Sequence, residues 1–181
     1  MPVLTRQILN SIVTVISIII CVLLVLAPIP GLALFGIKPN WLLIWLVAWS
    51  LKRSLLSAAV AGLVCGLILD GLTASDPTHI FSFMLVGILT VFIYNRILKK
   101  MQEDFVSVAL IVFGMAILVE TIRALQFSKM GDNTLVDLWL YQQQVALSSA
   151  ILSSLWAPVL YLPLNRWWEL MKTSNSINYF D

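Results

Sequence analysis

Six apolar stretches separated by short polar joints run through nearly the whole chain, and this pattern decides the class of fold. Hydrophobic residues make up 60% of the 181 residues and charged residues only 11%, whereas a soluble domain carries roughly 25% charged residues. A soluble fold of this length cannot bury so much apolar surface. The pattern therefore predicts a polytopic membrane protein that is surrounded mostly by lipid.

Each stretch approaches the length of a membrane-spanning helix, about 20 residues for a hydrocarbon core about 30 Å thick. We predict an all-α bundle of about six transmembrane helices forming one compact domain, residues 1–181. The second helix is expected to be short, because its most apolar part, 41–51, is only about 16 Å long. It is either lengthened by residues 32–37 or a half-helix protected by its neighbours. The approximate spans are 8–27, 32–51, 55–72, 80–98, 106–125 and 145–164.

Basic residues and tryptophans predict how the bundle sits in the membrane. Cytoplasmic loops are enriched in Lys and Arg, and Trp is enriched at both interfaces. Six crossings with both termini in the cytoplasm place eight basic residues inside and three outside. The inside set is Arg6, Lys52, Arg53, Arg96, Lys99, Lys100, Arg166 and Lys172, and the outside set is Lys38, Arg123 and Lys129. The predicted interface anchors are Trp41, Trp49, Trp139, Trp167 and Trp168.

The third stretch carries small residues at a spacing of four that end in a carboxylate: Ala58, Gly62, Gly66 and Asp70. This spacing places them on one face of a helix, and small residues let a second helix approach closely. A carboxylate at this depth needs a partner in protein or water. Two interpretations remain open. One is packing inside the protein, with Thr73 and Ser75 as partners of Asp70, and the other is docking of a partner protein or an internal charge pairing.

Three further polar residues lie towards the outer side in this topology. Glu120 and Arg123 are one helical turn apart and can pair with each other, or one of them can contact Asp70 or a partner protein. His79 is the only histidine of the chain, and it is interpreted as a solvated loop residue. Pro158 and Pro163 lie in the sixth stretch, where they predict a kink or an early end of the helix.

Motifs that carry chemistry are missing from the sequence. It has no Ser/His/Asp arrangement, no H-x-x-x-H pair, no phosphate-binding loop and no paired intramembrane carboxylates. The net charge of +2 does not indicate a nucleic-acid surface. We therefore predict a protein that is not an enzyme and that uses no cofactor, metal or nucleic acid.

Several segments together resemble the rod shape-determining protein MreD family. The segment Lys38-Pro39-Asn40-Trp41-Leu42-Leu43 is similar to the family's P-x-(L/F)-x-L start of a short second helix, and the basic pair Lys52-Arg53 follows it. Residues 62–70 are similar to the family's G-x-x-x-G-L-x-x-D signature. Asn165-Arg166 then follow a last helix that contains proline.

This resemblance implies a non-enzymatic, multi-pass component of the bacterial cytoplasmic membrane that acts in cell elongation. Members of the family sit in the membrane with MreC, near RodA, a class B penicillin-binding protein and MreB, where they help organise lateral peptidoglycan synthesis. Membrane lipid is a further expected contact, because the basic residues Arg96, Lys99 and Lys100 face anionic headgroups in this topology.

A transport function is the alternative. Substrate-binding subunits of energy-coupling-factor vitamin transporters are also small six-span proteins of similar fold. Their usual Ala-x-x-x-Ala docking motif is missing from the first stretch, whereas outer segments 73–79 and 126–144 carry polar and aromatic residues that suit a ligand. Binding of a vitamin by the purified protein separates the two functions.

Overall fold

The computed structural model describes residues 3–27, 33, 36–73, 78–96, 104–128 and 135–176. Within these residues, every regular element is an α-helix. The helices are α1 (Val3–Leu26), α2 (Trp41–Ser50), α3 (Leu55–Thr73), α4 (Ile80–Arg96), α5 (Phe105–Ser128) and α6 (Leu135–Ser176).

Four of these helices are long and apolar enough to cross a membrane. The qualifying segments are Gln7–Leu26, Leu55–Thr73, Phe105–Gln126 and Gln143–Met171. Their outward faces carry large apolar side chains, for example Ile12 of α1, Leu56 of α3 and Leu110 of α5. An apolar exterior of this kind is stable in lipid and not in water. The two remaining helices, α2 and α4, are shorter and also apolar.

The short helix α2 forms the centre of the bundle. It is apolar on all sides, and such a helix is stable only when protein surrounds it. All of its residues are buried except the half-buried Trp49, and it contacts each of the other five helices. Its ten residues extend over about 15 Å, about half the hydrocarbon thickness.

The buried start of α2 has its backbone groups satisfied. The Asn40 side chain accepts a hydrogen bond from the Leu43 N–H at 3.1 Å, and the Asn40 N–H donates to Ser153 Oγ of α6 at 3.0 Å. At the other end, Lys52 Nζ donates to Asn165 Oδ1 and to Glu169 Oε1. The helix therefore lies along the second half of α6. The non-helical residues 36–40 that precede it are held by contacts with the protein.

The predicted second span, 32–51, was too long at its beginning. Among the described residues, 33 and 36–40 are not helical. Gly36 has a φ of 80°, which a right-handed helix does not accommodate, and Pro39 has no N–H to donate. Trp41 was also misassigned as an interface anchor, because it is buried in the core with its ring 5.5 Å from that of Trp156.

The sixth helix does not end early. It continues through Pro158 and Pro163 to Ser176, over 42 residues. A proline removes its own backbone donor but leaves most of the surrounding helical hydrogen bonds intact. Packing of α6 against α5 and α2 holds the helix in place at these positions. The predicted span 145–164 is therefore the middle of a longer helix.

Among the described residues, extensive packing joins α3 to α4 and α5 to α6, whereas α1 packs mainly against α2 and more weakly against α6. Cys21 of α1 and Cys65 of α3 are buried free thiols, as expected of small apolar residues.

Some residues named in the sequence analysis lie outside the described residues. They are Ser75 and three lysines that contribute to the charge count, Lys99, Lys100 and Lys129. The side chains of Arg6, Trp139 and Lys172 lie outside the description too.

Candidate functional site

The stripe of small residues on α3 faces α4. A methyl group added at Gly62 would lie 2.8 Å from Met84 Cα and would overlap the carbonyl oxygen of Phe83. One added at Gly66 would lie 2.6 Å from Ile80 Cα. Contacts this short leave no room for a side chain, so the two backbones touch directly. Packing inside the protein is therefore what occupies this stripe.

The other helix contributes a glycine of its own to this contact. A methyl group at Gly87 of α4 would overlap the backbone carbonyl of Ala58, which is itself fully buried. Gly87 was not among the residues predicted from the sequence. The available signal was a single glycine inside an apolar helix, which often marks a close packing contact. We call Ala58, Gly62, Gly66 and Gly87 the α3–α4 seam.

The carboxylate at the end of the stripe binds the residue that begins the next helix. Asp70 Oδ1 accepts hydrogen bonds from the His79 backbone N–H at 2.8 Å and from its Nδ1 at 2.6 Å. The predicted partner Thr73 instead donates to the carbonyl of Leu69. His79 was expected to be solvated, but it is only 4% exposed. Gly66 explains the difference, because it lets the start of α4 approach α3 and draws His79 into the protein.

His79 in turn holds the first turn of α4. Its carbonyl accepts hydrogen bonds from the Phe83 N–H at 3.0 Å and from Ser82 Oγ at 2.9 Å. Its ring also packs edge-on against that of Phe83. The contact between Asp70 and His79 therefore closes the α3–α4 hairpin at the end where the chain passes from α3 to α4.

Burial lowers the pKa of His79 below its usual value near 6.5. The charge of Arg123 on α5 lowers it further, whereas the hydrogen bond and the charge of Asp70 oppose this effect. At neutral pH the ring is uncharged. Its Nδ1 carries the proton, because an ionised carboxylate can only accept a hydrogen bond.

Acidification is expected to destabilise the protein through His79. Because its pKa is lower in the folded protein than in the unfolded chain, the stability due to neutral His79 is present above about pH 6.5 and is lost as the pH falls. The loss is at most about 1.4 kcal/mol per pH unit. Thermal unfolding of the detergent-purified protein between about pH 7.5 and 5.5 measures it. The His79→Gln variant should lose less stability over this range, and equal losses would contradict the assignment.

A second polar pair lies on α5, towards the same end of the bundle. Arg123 Nη1 is 3.4 Å from Glu120 Oε2, so the predicted pairing on one helix is present. The ion-pair partner of Asp70 is His79 and not Arg123. Arg123 is nevertheless close enough for its charge to lower the pKa of His79. Its Nε atom, like Oε1 of Gln126, is buried without a hydrogen-bond partner among the described residues.

Glu120 also borders an open groove between α5 and α6. The residue is 6% exposed, and the groove has a volume of about 420 Å³. Its lining is mostly apolar and consists of Ile117, Glu120, Thr121, Ala124, Gln143, Ala146 and Leu147. We call it the outer groove. A carboxylate in this position is costly unless it finds a donor, and its bond to Arg123 is long for a charge-assisted hydrogen bond.

The described side chains form no group of three metal-binding residues. What they offer is two buried polar pairs, a closely packed seam and one groove bordered by a carboxylate. A comparison of the sequence with known families matches residues 5–166 to the rod shape-determining protein MreD. The chain belongs to the MreD family. The match covers nearly the whole chain, so the resemblance seen in residues 38–72 is confirmed.

Membership of the MreD family associates the chain with determination of rod shape, and this family is a membrane protein family without a known enzymatic activity. The four long apolar helices agree with membrane insertion. No curated protein and no solved structure matches the sequence. Similarity to the energy-coupling-factor subunits therefore stays a prediction.

Proposed function

We propose that the protein is a non-enzymatic membrane scaffold and regulator of the bacterial cell-elongation machinery. In this proposal it binds MreC and helps to organise lateral peptidoglycan synthesis, with RodA, a class B penicillin-binding protein and MreB in the wider complex. It acts as a multi-pass protein of the cytoplasmic membrane. Membership of the MreD family supports a role in cell elongation, and the outer groove supports binding of MreC at that surface.

The carboxylate of Glu120 is the observation that carries this proposal. It is an ionisable group at membrane depth beside a groove that opens to the surroundings, and such groups are rare in transmembrane helices unless they have a role. The weak pairing with Arg123 leaves it able to accept a further hydrogen bond. A transmembrane helix of MreC that presents a Ser, Thr, Asn or Lys side chain supplies the donor.

The seam is the less suitable surface for a partner. Each of its glycines is already covered by the facing helix of the hairpin, so a partner helix would have to separate α3 from α4. Next to the outer groove, by contrast, Leu125 of α5 and Leu147 of α6 are exposed, and a partner helix can cover them without any rearrangement of the bundle.

Replacing Glu120 by Gln is expected to weaken binding to MreC. Glutamine keeps the shape of the side chain but accepts hydrogen bonds less strongly than a carboxylate. We expect recovery of co-expressed MreC with the tagged protein to fall about tenfold, equivalent to about 1.4 kcal/mol of binding free energy. Quantitative co-purification in mild detergent measures this change.

Asp104→Asn is the matched control, since Asp104 is an exposed acid that precedes α5 at its opposite end. This variant should retain MreC like the unmodified protein. Both variants should elute as single species, which shows that they are folded. Undiminished recovery of MreC with Glu120→Gln would contradict binding through the outer groove.

A further inference from the structure

A second apolar groove lies between α1 and α6, away from the outer groove. It has a volume of about 320 Å³, within the range of about 300–1,000 Å³ for ligand sites. We call it the inner groove. Residues from both helices line it, among them Ile16, Ser17 and Ile20 of α1 and Leu160, Pro163 and Trp167 of α6.

The inner groove offers no open hydrogen-bonding group on α1. Ser17 is the polar residue there, and its hydroxyl already makes two hydrogen bonds within the protein. It donates to the carbonyl of Thr14 at 2.7 Å and accepts from Trp45 Nε1 at 2.8 Å. A polar ligand would lose its hydrogen bonds with water on entering. The chemistry of the groove therefore selects a hydrocarbon chain.

A cavity with a positive charge lies next to the inner groove. This rim cavity has a volume of about 470 Å³ and is lined by Leu162, Pro163, Arg166, Trp167 and Leu170. Pro163 and Trp167 line both cavities, so the two are adjacent. Arg166 lies one turn beyond Leu162 along α6, on the side that the charge distribution assigns to the cytoplasm.

The charge of Arg166 is not neutralised by another described side chain. Its neighbour Asn165 and Glu169 both bind Lys52, whereas Arg166 is exposed and makes no ion pair among the described residues. Trp167 adds an indole N–H that is buried and lacks an acceptor within the described part of the chain. Guanidinium and indole groups at a membrane interface suit a phosphate headgroup and its ester oxygens.

We propose that the inner groove and the rim cavity together bind one anionic phospholipid of the cytoplasmic leaflet. An acyl chain lies between α1 and α6, and the phosphate lies at Arg166. An apolar groove that ends at an unpaired guanidinium matches an amphiphile with a negative head, and basic pockets between transmembrane helices bind such lipids. The lipid also covers a face of α1, which has few contacts with the bundle.

Native mass spectrometry of the detergent-purified protein tests the headgroup. Phosphatidylglycerol and phosphatidylcholine with identical acyl chains are added separately. The unmodified protein should bind phosphatidylglycerol about fivefold more tightly, as expected for one basic contact. Arg166→Gln should remove this preference. Arg53→Gln should keep it, because Arg53 is an exposed cation that lies outside both cavities over the ring of Trp49.

Photo-crosslinking tests the position of the chain. Phosphatidylglycerol with a diazirine on its acyl chain should label α1 and α6 around the inner groove. Ile16→Trp, which fills the groove, should abolish this labelling, whereas Ile19→Trp should not, since Ile19 is similarly exposed but outside the lining. Three results would each overturn the proposal. They are an equal loss of lipid with Arg166→Gln and Arg53→Gln, labelling spread over all lipid-facing helices, and a copurified protein helix crosslinked in the groove.

Discussion

Gly62→Ala is expected to destabilise the protein by about 1–3 kcal/mol, the usual cost of overpacking. The added methyl group would lie 2.8 Å from Met84 Cα and would overlap a backbone carbonyl. No side-chain rotation relieves contacts with backbone atoms, so that α3 and α4 must move apart along the seam. Gly87→Ala should have a similar effect, because its clash with the Ala58 carbonyl is equally direct. Thermal unfolding in detergent measures both variants.

Gly114→Ala provides the control for this experiment. Gly114 is also a helical glycine, on α5, but a methyl group there meets no atom within 4 Å. Alanine reduces the entropy lost on folding, so this variant should be stabilised by about 0.5–1 kcal/mol. If all three alanine variants melted alike, the seam would not be closely packed and the arrangement of α3 against α4 would be wrong.

Asp70→Ala is expected to lower the free energy of unfolding by about 2–3 kcal/mol. It leaves the backbone N–H and the Nδ1–H of His79 buried without an acceptor, and each hydrogen bond to a charged group contributes about 1.5–3 kcal/mol. The loss falls below the sum because Asp70 Oδ2 is itself buried without a partner, so its removal is favourable. Chemical or thermal unfolding of the purified variant gives the value.

A double-mutant cycle separates this contact from general effects of removing a charge. His79→Ala should destabilise the protein, and adding Asp70→Ala to it should cost clearly less than Asp70→Ala alone, since residues in contact are not additive. Additive losses would mean that the two side chains do not interact. Loss of MreC binding in Asp70→Ala with unchanged stability would instead assign the carboxylate to a partner surface.

The class of the fold and most of its helices could be predicted because they depend on local properties of the chain. The predicted span 55–72 corresponds to the helix Leu55–Thr73, and 106–125 lies within Phe105–Ser128. Apolar length alone defines such segments. The same measure failed at residues 36–40, where a non-helical backbone lies next to α2. It is held by a contact with α6 that a local pattern does not contain.

For each contact in the candidate site, one of the two partners could be predicted from the sequence and the other could not. A spacing of four residues gives the face of α3 that must be covered, and the cost of a buried carboxylate requires a partner for Asp70. Neither argument identifies the covering helix or the partner. Gly87 and His79 supply them, and both come from the next helix and its start, which only the tertiary structure brings into contact.

Glu120 and Arg123 were predictable as a pair because they lie on one helix. The outer groove beside them was not, since it arises from the relative position of α5 and α6. For the same reason the inner groove could not be read from the sequence: Ile16 and Leu160 are far apart in the chain and face one cavity only after folding.

We propose that the chain acts as a membrane scaffold of cell elongation. The decisive test is to purify a C-terminally tagged copy from its native membrane in mild detergent and to identify the accompanying proteins. We expect recovery of MreC together with peptidoglycan synthases. Recovery of ATPase subunits with a coupling membrane protein, and of no elongation component, would contradict it and would favour transport.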